Sequence, residues 1–212
     1  PRLMLRADAM RHTNDQVSMR DKVTTNVMGR TDLIGKIAVT TAPLMNKMMG
    51  AKPGSLVRKA IEVTSGVSSE RVLPPFAKQR FTTWFNRRPK LKIGKRQGRV
   101  ALFPTCLVEY QAPEVGHDLI KVYERNGIEC SLADTTQCCG APFLHSGDIE
   151  SFTKIAEKNV KALANTVRKG NDIVVPQPTC GYVLKKDYLD YVGGPDAELV
   201  AAHTFDASEY LM

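Results

Sequence analysis

No stretch of about 18 consecutive apolar residues occurs anywhere in the sequence, which excludes a transmembrane helix. The opening Pro1-Arg2-Leu3-Met4-Leu5-Arg6 lacks a long apolar core followed by a small-residue cleavage site, so it is not a secretory signal. Cysteine is absent before Cys106 and after Cys180. The five that occur are an odd number without framework spacing, which excludes a secreted disulfide scaffold and favours a reducing, cytoplasmic compartment. Acidic residues are missing from Ala77 to Arg99, where Lys78, Arg80, Arg87, Arg88, Lys90, Lys92, Lys95, Arg96 and Arg99 accumulate. Phe76, Phe81, Trp84 and Phe85 interleave with the front of that run. Such a stretch suits an anionic lipid surface or an acidic partner, or it is a solvated linker. Nucleic acid is not expected, because no recognised binding module accompanies the charge.

What is present is the composition of an ordinary globular protein, with 42% hydrophobic and 25% charged residues and a net charge of +8 over 212 residues. That length suits one full domain plus an appendage. A chain running from Pro1 to Tyr210-Leu211-Met212, in what looks like a helix, reads as part of something longer. Residues 1–96 read as a helical linker or docking segment. Thr31 or Asp32 caps a helix bearing Leu33, Ile34, Ile37 and Val39, and Pro43 interrupts it. Leu44, Met45, Met48 and Met49 continue at helical spacing, and the methionines are expected to fill core. Pro53-Gly54 opens a further segment through Leu56, Val57, Ala60 and Ile61.

From residue 97 to 212 the pattern alternates. Val100-Ala101-Leu102-Phe103 is a short apolar run of the kind buried on both faces, and Ile128 to Leu132 and Ile173-Val174-Val175 are second and third strand candidates. Between them lie a helix from Pro113 to Asn126, a loop from Asp134 to Gly147, and an amphipathic helix capped by Asp148. A last helix is expected from about Tyr182 to Tyr191. The order predicts an α/β fold, a small parallel Rossmann-like sheet with helices on both faces, preceded by a helical N-terminal segment.

On that sheet Cys106 follows the first strand, Cys138-Cys139-Gly140 the second and Cys180 the third, so three loops should converge at the carboxyl edge. The spacings, 32 and 41 positions, are each about one βα unit. Four thiolates suit an iron–sulfur cluster or tetrahedral zinc, with a redox disulfide as a third option. Adjacent Cys138 and Cys139 fit a polynuclear centre better than a single ion. Cys130, inside a strand, reads as a small core residue. His117, beside Asp118 on a helix, reads as a polar surface residue, and His145 as the better candidate for an extra ligand. Tyr110 and Tyr182 either shield the site or simply pack.

These residues resemble a known family. Cys106, Cys138-Cys139-Gly140-Ala141-Pro142 and Cys180 resemble the cysteine-rich CCG domain of iron–sulfur oxidoreductases, which occurs in heterodisulfide reductases and in glycolate, lactate and anaerobic glycerol-3-phosphate oxidation. Met28 to Gly35, Ala42-Pro43-Leu44, Leu73-Pro74, Phe81 and Trp84 resemble the linker of the glycerol-3-phosphate branch. Gly116 to Val122 and Thr179-Cys180 with Leu184 extend the likeness. It implies a peripheral protein on the cytoplasmic face of the inner membrane, taking electrons from a flavoprotein dehydrogenase towards quinone. Cys106, Cys138, Cys139 and Cys180 would bind an iron–sulfur cluster, most simply 4Fe–4S. One position departs from the motif: Val183 stands where the full pattern closes with cysteine. That leaves an ordinary cluster, a zinc ion or a metal-free docking module open. The chain matches the linker plus a first repeat, without the ferredoxin cysteines or second repeat of the family.

Overall fold

The computed structural model describes residues 2–89, 91, 94–134 and 138–212. Lys90 and Lys92 of the basic run, and residues 135–137 of the expected loop, lie outside the described residues. Five helices come first: α1 (Arg2–Thr13), α2 (Met19–Gly29), α3 (Thr31–Thr40), α4 (Ala42–Met49) and α5 (Leu56–Ser65). Ser18 and Ser55 cap α2 and α5 by accepting the N–H groups of Asp21 and Arg58. A proline near the start of α4, at the break the sequence predicted, costs nothing there because the first turn has no amide partner. The methionine stripe is not core: Met48 is exposed, and Met45 and Met49 are only half-buried. Helix α6 (Phe81–Arg87) then leads to the sheet.

Four parallel strands follow, β1 (Gly98–Leu102), β2 (Ile128–Leu132), β3 (Asp172–Val175) and β4 (Thr204–Asp206), in the order β2-β1-β3-β4. Three of the four match the apolar runs read from sequence; β4 was not foreseen. The connections carry α7 (Cys106–Tyr110), α8 (Pro113–Arg125), α9 (Ala141–His145), α10 (Ile149–Arg168), α11 (Pro178–Tyr182), α12 (Tyr188–Tyr191) and α13 (Gly194–Ala202). Asp148 caps α10 through the Ser151 N–H, as expected. Chain order moves from β1 outward to β2, then back across β1 to β3. The strand order therefore reverses between β1 and β3, the position where open α/β sheets receive ligands.

Alternation along the strands divides the core in two. Ala101, Phe103, Ile173 and Val175 pack with α9 to α13 on one face. Val100, Leu102 and Val174 pack with Phe81, Phe85, Ile120 and Tyr123 on the other. Both faces of β1 and β3 are covered, so these inner strands read as continuous apolar runs, whereas the edge strand β2 alternates.

Candidate metal centre

All four thiols reach the carboxyl edge of the sheet, but two of them do so on helices rather than in loops. Thr105 accepts the Val108 N–H and starts α7 directly off β1, placing Cys106 in its first turn. Pro178 opens α11 after β3 without a side-chain cap, so Cys180 is helical and the expected helix begins earlier than Tyr182. A π-helical turn, Val183–Asp187, joins α11 to α12. Such turns concentrate at functional sites. Within the expected loop, Ala141–His145 forms α9. Gly140 precedes it at φ +89°, a left-handed conformation; a Cβ there would also stand 2.9 Å from the Phe152 ring.

The thiols form a row. Cys139 and Cys180 place their sulfurs 3.3 Å apart, and the Cys138 thiol lies between those of Cys106 and Cys139. All four are free; Cys138, Cys139 and Cys180 are buried and Cys106 half-buried. Among the described residues no three thiols, imidazoles or carboxylates converge as ligands of a single metal ion. Cys106 also feels Cys180 electrostatically, so the four thiols form one cluster.

Polar groups fix the backbone beneath this row. The Cys138 N–H donates to Asp32 Oδ2 at 2.7 Å, and Asp32 Oδ1 accepts the Tyr110 hydroxyl at 3.1 Å. Asn159 Nδ2 donates to the Cys138 carbonyl at 3.0 Å and to the Tyr188 hydroxyl at 2.9 Å. The Tyr188 hydroxyl in turn donates to the Cys139 carbonyl at 3.0 Å. Buried backbone groups that lack helix or sheet partners are satisfied this way, and the geometry of the Cys138-Cys139 turn becomes rigid.

Hydrogen bonds also differentiate the thiols. Donation from the Cys106 and Cys139 thiols holds Cys138 well below the usual thiol range, helped by the Gly140 N–H and opposed by burial. Cys106 is pushed up, first by that donation and then by burial. Cys139 is pushed up by donation to Cys138 and Cys180. Burial raises the Asp32 carboxyl, and the Cys138 N–H offsets part of the rise.

The remaining candidates separate cleanly. Cys130 sits in β2 against the opposite core face, its thiol pushed up to about 12 by burial. His145, the candidate extra ligand, is exposed at the end of α9, and Tyr182 is 56% exposed and does not shield the thiols. Tyr110 is buried against Asp32. His117 is not the surface residue expected: its ring lies 3.9 Å from that of Trp84, and its Nε2 is buried without a hydrogen-bond partner among the described residues. Asp32, Asn159 and Tyr188 were missed as site residues. Asn159 had a visible signal, a lone amide on the apolar face of α10 at helical spacing from Phe152, Ile155 and Ala156. Asp32 had none beyond its position as a first-turn acid.

Comparison with known proteins finds relatives of this sequence. Residues 100–185 match the family model for the cysteine-rich domain CCG. One subunit of the anaerobic glycerol-3-phosphate dehydrogenase of Escherichia coli (strain K12) is 30% identical over 163 residues, 76% of this chain and 40% of that protein. Lactate utilization protein A of Bacillus pumilus is 30% identical over 122 residues, 54% of this chain and 48% of that protein. An uncharacterized iron–sulfur protein of Methanococcus maripaludis is 26% identical over 139 residues, 66% of this chain and 27% of that protein. The chain thus spans less than half the length of each of these relatives. No solved structure is a significant match. Residues 100–185, which hold all four thiols, are a cysteine-rich CCG domain.

Proposed function

We propose that the chain is an electron-transfer subunit in which Cys106, Cys138, Cys139 and Cys180 hold an iron–sulfur cluster, with 4Fe–4S the leading assignment. The observation that carries this reading is the row of four thiols at the sheet's reversal point. The donor set is all sulfur, the ligand type of iron–sulfur clusters. Adjacent Cys138 and Cys139 suit a polynuclear group better than zinc, whose four ligands meet at one tetrahedral point. Bound there, the cluster would supply one-electron storage. The protein's own part is to favour the Cys138 thiolate, to fix the Cys138-Cys139 backbone through Asp32, Asn159 and Tyr188, and to exclude water with Phe152, Val183 and Leu184.

The names of the relatives support a place in a larger oxidoreductase: a dehydrogenase subunit, a lactate utilization protein and an iron–sulfur protein. We extend the reading to a flavoprotein dehydrogenase partner that oxidises glycerol-3-phosphate or a 2-hydroxy acid, with electrons passing towards quinone. In this reading residues 1–96 dock the domain formed by residues 97–212, and the assembly sits peripherally on the cytoplasmic face of the inner membrane. No helix among the described residues is long and apolar enough to cross a membrane, so attachment would be through surface or partner.

Anaerobic purification followed by iron and acid-labile sulfide assays tests the proposal. Both should be present together with visible charge-transfer absorbance, and Cys139→Ser should remove most of that absorbance while leaving the far-ultraviolet circular dichroism intact. Well-folded protein containing neither iron nor sulfide would instead favour the metal-free docking module. Zinc without sulfide would favour a structural zinc site.

A further inference from the structure

A cleft of about 560 Å³ opens between the end of α6 and the outer flank of α8. It belongs to the sheet face opposite the thiols, and electron transfer through the cysteine row makes no use of it. Small-molecule sites commonly enclose roughly 300–1,000 Å³ over an apolar floor with a few polar groups. Here Trp84 and Ile120 supply apolar lining, Arg87, Lys121 and Arg125 supply positive charge, and Arg88 completes the wall.

Arg88 is the unusual member. Its side chain is only 5% exposed, and its guanidinium lies 4.0 Å from the centre of the Phe85 ring. One nitrogen, Nη2, donates to Glu124 Oε1 at 2.5 Å. Its Nε and Nη1 are buried and have no hydrogen-bond partner among the described residues. Buried donors of a charged group are rarely left empty, because their desolvation is then uncompensated. Both two-pronged forks of the guanidinium include Nη2, which Glu124 already holds, so the free Nε–H and Nη1–H each fit a single oxygen of a carboxylate or phosphate. Among the described residues Glu124 is the only acid lining the cleft, and Arg88 already engages it. Arg87 and Arg125 form no ion pair among the described residues, while Lys121 pairs with Asp118 outside the lining. The site is therefore short of negative charge.

We propose that this cleft binds an amphiphilic organic anion, a phosphate monoester or carboxylate taken up by Arg88 within the field of Arg87 and Arg125. Its apolar body rests on Trp84 and Ile120. An inorganic anion would leave that floor uncovered, and a neutral apolar ligand would leave the Arg88 donors unfilled. A soluble metabolite and a lipid headgroup share this chemistry. The inference does not depend on the cysteines being metallated.

Trp84 is the chain's only tryptophan, so its emission reports on the cleft alone. The full chain would be titrated with hexyl phosphate, with inorganic phosphate, and with phosphatidylcholine vesicles containing phosphatidic acid. Hexyl phosphate should produce a saturable change that weakens with rising salt, and inorganic phosphate should bind about tenfold more weakly or worse. Arg88→Gln should weaken hexyl phosphate about tenfold or more. Arg125→Gln, an exposed change with no fold to disturb, should weaken it several-fold. Tighter binding to vesicles than to monomeric hexyl phosphate would identify the ligand as a lipid headgroup; equal or weaker binding would identify a soluble ester. Absence of a saturable response to both, or binding unchanged in both variants, would overturn the proposal.

Discussion

The helices before residue 89 and the sheet from Gly98 onward are held by different forces. Around the sheet, large side chains such as Phe103, Phe152, Leu163, Ile173 and Leu184 are essentially inaccessible to water. Burial of that apolar surface is ample to stabilise the region. In α1 to α5 the balance reverses: Leu3, Met4, Met19, Leu33, Ile37, Leu44, Leu56 and Val63 all face solvent. What orders these helices is polar and close-contact docking. Arg58, 1% exposed, donates to the carbonyls of Met49, Ser68, Ser69 and Arg71 and ties the end of α4 to the segment after α5. Asn46 exchanges two hydrogen bonds with the Phe76 backbone. Gly35 lets α3 lie directly on the Tyr110 ring, within 2.5 Å of where a Cβ would stand. The difference teaches that the N-terminal helices depend on the sheet, whereas the sheet owes them mainly one thing, the Asp32 carboxylate under Cys138.

The largest expected effect tests the sheet's own core. Phe152→Ala removes a fully buried ring packed against Gly140 and the Tyr188 ring, and should cost about 3–5 kcal/mol in a urea titration. A cost below about 1 kcal/mol would mean that burial around the sheet is not what holds it. Gly35→Leu should cost about 1–3 kcal/mol and act on the seam. Hydrogen exchange is expected to show lost protection in α2 and α3 with β1 to β3 unchanged. If the strands lose protection equally, the two regions unfold as one and the contrast between them fails.

The smallest effect concerns His117, on the aromatic face. Burial lowers its pKa below the ordinary imidazole value; Lys121 adds to the shift, and Glu114 and Asp118 oppose it. The folded state therefore binds this proton less readily than the unfolded chain. Stability should fall as pH drops through the ordinary histidine range, and be fully present above it. Because solvent still screens the ring, the change should be no more than about 0.5 kcal/mol. His117→Leu should flatten that part of the pH profile while leaving the neutral-pH midpoint nearly unchanged.

Much of the sheet was legible because fully covered strands must be apolar throughout. Val100 to Leu102 and Ile173 to Val175 stood out for that reason, whereas the edge strand Ile128 to Leu132 alternates. Strand β4, Thr204–Asp206, is three residues long, too short to show any period. Helix α9 and the start of α11 were hidden for another reason: both begin at Pro142 or Pro178, which also punctuate loops. The π-helical turn after Cys180 leaves no local signature, since its extra residue is accommodated by packing rather than by propensity.

By itself, the sequence determined the parallel α/β order, the carboxyl-edge placement of Cys106, Cys138, Cys139 and Cys180, and the exclusion of Cys130. Those follow from periodicity and chain spacing, which are local or one-dimensional quantities. The tertiary structure alone decided that the thiols form a row, that Asp32 reaches Cys138 across the chain, and that Arg88 is buried with two donors unfilled. Each depends on contacts between elements distant in sequence, and no local pattern encodes which side chain will meet which.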